Sequence, residues 1–170
     1  FWRGRRVLLT GHTGFKGSWL LLWLQELGAQ VWTLALAPEP QPNLFLDLSH
    51  SRPPGDGWQH QIGDLADLEA LKALVLRAQP EVVLHLAAQP LVRCSYDDPL
   101  GTWSTNLMGS LHVLEALRPS QHTCAVVMVT TDKVYENREW AYGYREPDRF
   151  GGHDPYSASK AGAEIAIASW

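Results

Sequence analysis

Short runs of apolar and β-branched residues recur along the chain, and between them hydrophobic positions return every three or four residues. The first run, residues 7–10, has no polar alternation, the pattern of a strand covered on both faces. A helix is expected over 15–27, stopped by Gly28 in the position where a left-handed glycine closes a helix. A second strand follows over 30–36. Residues 37–57 are rich in Pro, Ser and Gly and read as a long irregular connection. A third short strand should end near Ile62, and Asp64 or Asp67 should cap a helix running to Ala78. Further elements are a strand over 82–86, a helix over 101–117, a strand over 125–130 and a last helix from Pro155. Strand and helix in regular alternation imply parallel pairing with right-handed crossovers, hence a doubly wound α/β sheet. Residues 1–170 form one domain on this reading. Such sheets bind ligands beyond the C-terminal ends of their strands, where the motifs below fall.

Composition narrows the class. A chain of 170 residues, 45% hydrophobic and 19% charged with a net charge of -4, is an ordinary soluble domain. The acidic excess argues against nucleic acid, because phosphate recognition needs clustered Lys and Arg. The one basic group, Arg3, Arg5 and Arg6, flanks the first strand. Cys94 and Cys124 lack ligand spacing and fit reduced, structural thiols of a cytoplasmic protein. The seven histidines show no ligand spacing either, so no metal is expected. The apolar run over 19–24 is too short to span a bilayer, and no leader pattern is present. The chain begins without Met and ends inside a helical pattern, so it is expected to be part of a longer protein.

Between the first strand and first helix lies Gly11-His12-Thr13-Gly14-Phe15-Lys16-Gly17. Gly11 permits a tight turn, Gly14 lets a pyrophosphate approach the backbone, and Gly17 lets the helix pack closely on the sheet. The N–H groups opening the helix would hold the phosphate charge. A purely structural turn is the competing reading. The G-x-x-G-x-x-G spacing after Thr10 resembles the extended short-chain dehydrogenase/reductase superfamily. That resemblance implies a Rossmann-type fold and dinucleotide contacts from Gly11, Thr13, Gly14, Phe15, Lys16 and Gly17. It further implies an adenine contact from Asp64, beside Leu65, although a helix cap explains Asp64 as well. Leu86, Ala87, Ala88 and Gln89 match the superfamily's small-residue segment, which would admit the cofactor, and the resemblance implies a further cofactor contact from Thr130, at the end of the fifth strand. The acid that usually follows the second strand is missing, the nearest being Glu39, and no Arg stands there for a 2′-phosphate. NAD is the expected cofactor.

Tyr156 and Lys160 stand four residues apart, on one face of the last helix. A phenol with a pKa of about 10 is a poor base at neutral pH, and a neighbouring ammonium favours its phenolate. An ordinary surface pair is the alternative. Thr131, Asp132 and Lys133 end the fifth strand. By resemblance to sugar-nucleotide dehydratases, Thr131 would orient the reacting oxygen and Asp132 would protonate a departing hydroxyl. Lys133 stands where relatives carry Glu, and would act as a base or stabilise a developing enolate. A solvated turn pair is the plain alternative. Asn106 falls where the superfamily supports the catalytic Lys through water; otherwise it is a helix-surface Asn.

The strings GHTGFKGSWL over 11–20, AAQPLVR over 87–93, TDK over 131–133 and NREWAYGYRE over 137–146 together resemble the CDP-glucose 4,6-dehydratase family. The resemblance implies a hydro-lyase acting on CDP-glucose through C4 oxidation, loss of water across C5 and C6, and hydride return to C6. The product would be a 4-keto-6-deoxy sugar of the lipopolysaccharide O-antigen type. Lys133 and Glu136 are the candidates for the C5 base. The family also implies a homodimer or higher homo-oligomer and a C-terminal substrate lobe that lies outside these residues. An epimerase, or a dehydratase for another nucleotide-sugar, shares the turn and the Tyr-Lys pair. A non-catalytic NAD sensor would need the turn alone.

Overall fold

Residues 1–40, 42–55, 57–120 and 122–170 are described by a computed structural model. The chain divides into two compact units, Phe1–Ala87 with Glu115–Val129, and Ala88–Leu114 with Thr130–Trp170.

The first unit is built on five parallel strands. They are β1 (Arg6–Thr10), β2 (Gln30–Leu34), β3 (Trp58–Gln59), β4 (Val82–His85) and β5 (Ala125–Met128), in the order β3-β2-β1-β4-β5. Val7 pairs with Val31 on one side and Val82 on the other. Val7, Leu8 and Leu9 are fully buried, which is why this run lacks alternation. The order moves outward from β1 and then returns to its other side. Right-handed crossovers therefore carry α1 (Phe15–Glu26) and α3 (Leu68–Ala78) to opposite faces, the expected doubly wound arrangement. Gly28 closes α1 at φ 78°, with its N–H donating to the Gln25 carbonyl and that of Ala29 to Leu24, as expected of a left-handed glycine stop.

The connection expected over 37–57 is not irregular throughout. It contains α2 (Leu44–Ser51), capped by the Asn43 side chain, which accepts from the N–H groups of Phe45 and Leu46. Composition hid this helix: two turns are too short for a periodic signal, and burial of Phe45 in the core holds them in place. Gln41 and Asp56, in the same connection, lie outside the described residues. Of the two proposed caps for α3, Asp67 is the one, accepting from the Ala70 N–H at 2.9 Å; Asp64 accepts from Ala66 two residues on. Arg5 and Arg6 pair with Glu81 below the sheet. His12 is fully buried beside Phe45, Trp58 and His60.

In the second unit the helix expected over 101–117 is longer and broken. It comprises α4 (Val92–Asp97), α5 (Pro99–Trp103), a π-turn (Ser104–Met108) and α6 (Gly109–Leu117), the last of which runs on into the residues of the first unit from Glu115. Asp98 divides α4 from α5 because its side chain caps the Gly101 N–H and Pro99 opens the new helix. A 3₁₀ turn (Asp132–Val134) precedes a ribbon over 135–150, whose ends meet through Glu136 N–H to the Arg149 carbonyl and Gly151 N–H to the Val134 carbonyl. α7 (Pro155–Ser169) packs against α4, α5, the π-turn and the 3₁₀ turn. Among the described residues no helix is long and apolar enough to cross a membrane.

Candidate functional site

The first unit presents the glycine turn beyond β1. At Gly11, φ is 78°, and a Cβ there would lie 2.6 Å from the Ala87 backbone nitrogen. At Gly17 a Cβ would lie 2.0 Å from the Gly11 carbonyl oxygen. Both positions exclude side chains because backbone meets backbone. Gly14 differs. Its φ of -80° suits any residue, and a Cβ would meet only the Gly11 carbonyl oxygen, at 3.4 Å. The protein itself does not require glycine at this exposed position, so the space it leaves suits a ligand. Gly14 is also the cap residue of α1 and brings no side-chain acceptor, so the opening N–H groups at Phe15, Lys16 and Gly17 have no partner within the helix. Phe15 and Lys16 are exposed; Thr13 is buried, and its hydroxyl donates to the Leu36 carbonyl at 3.0 Å. Thr13 thus ties the turn to the end of β2.

Thr10 joins the turn to the segment after β4. Its Oγ1 accepts from the Ala87 N–H at 3.2 Å and lies 2.7 Å from His85 Nδ1, while its carbonyl receives the Leu86 N–H. Leu86 and Ala87 are half-buried there, Leu65 is buried after β3, and Asp64 is exposed beside it.

The second unit carries the remaining candidates. Asn106 lies in the π-turn and is fully buried, so it is not a helix-surface residue. Its Oδ1 accepts from the Gln89 N–H at 2.9 Å, and its Nδ2 donates to the Gln89 carbonyl and to Ser159 Oγ. Gln89 continues the clasp by donating to Thr102 Oγ1 at 2.8 Å. The amide therefore joins the segment carrying Ala88 and Gln89 to α7, one residue before Lys160.

Asp154 caps α7 by accepting from the Ser157 N–H at 2.9 Å and the Ser157 hydroxyl at 2.7 Å. Tyr156 follows in the first turn, half-buried, and Lys160 lies one turn further, 3% exposed. Burial disfavours the ammonium and draws the Lys160 pKa down to about 8, opposed by the charge of Glu164. Thr131 opens the 3₁₀ turn, with its Oγ1 donating to Asp132 Oδ1 at 3.1 Å. Asp132 and Lys133 are exposed. Glu136 is engaged by Arg138 at 2.9 Å and Arg149 at 3.6 Å. Thr130 donates its hydroxyl to Glu164.

Sequence reasoning passed over Ser159 and Glu164. Ser159 carries no local signal. Glu164 repeats the four-residue step from Tyr156 through Lys160 and was within reach of the same helical argument.

The GDP-mannose 4,6 dehydratase family model matches residues 8–170. The CDP-glucose 4,6-dehydratase of Salmonella typhimurium is 49% identical over 170 residues, which is 100% of this chain and 46% of that protein. An epimerase from Methanothermobacter thermautotrophicus, Mth375, superposes with a TM-score of 0.83 at 26% identity, over 99% of this chain and 48% of that one. MoeE5, solved in complex with UDP-glucose and NAD, gives 0.77 at 26% identity, over 96% and 48%. The chain thus spans somewhat under half the length of these relatives. With a family match from β1 to the end of α7, and a glycine turn and a Tyr-Lys helix within it, the chain belongs to the GDP-mannose 4,6 dehydratase family.

Proposed function

We propose that this chain supplies the cofactor-binding and proton-transfer residues of an NAD-dependent 4,6-dehydratase acting on CDP-glucose. The reading rests most on one observation. In the second unit a half-buried tyrosine precedes a buried lysine by one turn, beside a Thr-Asp pair, within a chain 49% identical throughout to the Salmonella CDP-glucose enzyme.

The residues present fit a dinucleotide. The space at Gly14 and the unpartnered N–H groups opening α1 suit a pyrophosphate, which the positive end of the helix favours. Gly11, Gly14 and Gly17 with Phe15 and Lys16 would hold that group. When bound there, NAD would supply the reversible hydride acceptance that oxidation at C4 and reduction at C6 require.

The chain's own residues manage the protons. Tyr156, as phenolate, would remove the C4 hydroxyl proton while the C4–H bond is broken, leaving a ketone. Lys160 as ammonium stabilises the phenolate. Thr131 would donate a hydrogen bond to O4. Ketone formation acidifies the C5 proton, and Asp132 in its acid form would protonate the departing C6 hydroxyl, so water leaves across C5 and C6. Glu136 is held by two arginines, which leaves Lys133 as the favoured C5 base.

The similarity to an epimerase structure supports a second reading, epimerisation without loss of water. Incubating the full-length gene product with CDP-, dTDP-, GDP- and UDP-hexoses separates the two. A 4-keto-6-deoxy product, seen by its absorbance in base and formed from CDP-glucose, is expected. Tyr156→Phe should lower kcat by about 10²–10⁴-fold. A C4-inverted sugar as sole product would overturn the dehydratase reading.

A further inference from the structure

Tyr156, Lys160 and Glu164 follow one another at four-residue steps on α7 and so share a face. No part of the Tyr-Lys motif assigns Glu164 a task. Its half-buried carboxylate accepts the Thr130 hydroxyl, and Thr130 immediately precedes Thr131. The same carboxylate lies one turn from Lys160, whose side chain is almost wholly removed from water. A buried ammonium without a nearby anion sheds its proton, and a neutral amine cannot stabilise a phenolate.

We propose that Glu164 is a positioning residue for this chemistry, holding Lys160 as ammonium and, through Thr130, fixing the backbone that leads into Thr131 and the 3₁₀ turn. The inference rests on the proton-transfer reading of Tyr156 and Lys160. The elements packed against α7 bring Arg93, Cys94, Tyr96 and Asp97 from α4, Asp98 at the head of α5, and Asp132 and Lys133 from the 3₁₀ turn. Against burial, it is the charge of Glu164 that raises Lys160, and burial still leaves that residue at about 8, within reach of the working pH. Glu164 also acts on Tyr135, whose phenol is pushed up by burial first, then by the charge of Glu146, and then by those of Glu164 and Asp148.

The test compares Glu164→Gln, which keeps an acceptor for Thr130 but removes the charge, with Thr130→Val, which keeps the charge and removes the hydroxyl. Both are made in the full-length gene product and assayed for kcat against pH with CDP-glucose. The alkaline limb set by Lys160, near 8 in the unaltered protein, should move down by about one unit in Glu164→Gln. That shift lowers kcat about fivefold at pH 8 and less than about twofold at pH 6.5, with KM unchanged. Thr130→Val should lower kcat without moving the limb, and Glu164→Asp should restore most of it. Lys160 acylation by acetic anhydride against pH, read by mass spectrometry, should show the same shift independently of turnover. Glu164→Gln profiles superimposed on the parent, or depressed equally at every pH, overturn the role of Glu164 and leave the dehydratase reading standing. An unaltered protein that turns over no nucleotide-sugar overturns both.

Discussion

At the residue scale, the three glycines of the turn look alike in a string of letters and differ in what constrains them. Gly11 and Gly17 are demanded by backbone contacts inside the protein, whereas Gly14 has an ordinary φ and room for a methyl group. Gly17→Ala should therefore destabilise by about 1–3 kcal/mol, because the Gly11 carbonyl cannot yield as a side chain would. Gly14→Ala should cost no more than about 1 kcal/mol in urea unfolding, the difference between Gly and Ala as a cap, and weaken NAD binding at least about tenfold, measured by fluorescence titration. Equal NAD affinity in Gly14→Ala and the parent would mean that the pyrophosphate does not approach this position. The spacing that announces the turn was legible in the sequence because each step of it is a local steric demand. The distinction among the three was not, since it depends on how the folded turn sets Gly17 against the Gly11 carbonyl and Gly11 against Ala87, more than seventy residues away in the chain.

At the element scale, α7 shows how a short helix start holds a reactive group. Asp154 satisfies the Ser157 N–H and hydroxyl, and Pro155 occupies the first helical position, where its missing N–H costs nothing. Tyr156 sits in that first turn, so fraying moves it before any other part of the helix. Asp154→Ala should cost about 1 kcal/mol in urea unfolding, and Asp154→Asn should recover most of it. The kcat of Asp154→Ala should fall severalfold while KM holds; an unchanged kcat would mean that the cap does not position Tyr156. The beginning of α7 was readable from Asp-Pro ahead of an apolar pattern. α2 was not, because eight residues give no sustained period and its stability comes from Phe45 in the core.

At the scale of the whole molecule, burial makes chemistry of residues that look ordinary in sequence. His12 is fully buried, and its Nε2 lies 2.7 Å from His60 Nδ1 and 3.2 Å from Thr33 Oγ1. Thr33 donates its own proton to the Gln59 carbonyl, and among the described residues His12 Nδ1 has no hydrogen-bond partner. Desolvation first, and the neighbouring His60 second, push the His12 pKa down to about 3 from 6.5, with only the Leu34 carbonyl opposing. A folded pKa below the unfolded one means that the unfolded chain binds the extra proton. Stability from this group is then complete above the unfolded pKa and is lost as pH falls below it. Unfolding free energy should drop by about 2 kcal/mol between pH 7.5 and 5, and His12→Asn should flatten that slope. A slope that survives the substitution would place its origin elsewhere.

The order of strands and helices, the parallel sheet, the glycine spacing and the Tyr-Lys step were all available from the chain alone. Each is carried by neighbours within a few residues, where sterics and periodicity act locally. Long-range packing settled the rest: the burial of Lys160, the pairing of Thr130 with Glu164, the clasp from Asn106 to Ser159 and the His12–His60 contact. Desolvation and hydrogen-bond partners depend on what distant segments cover a side chain, and no local period records that.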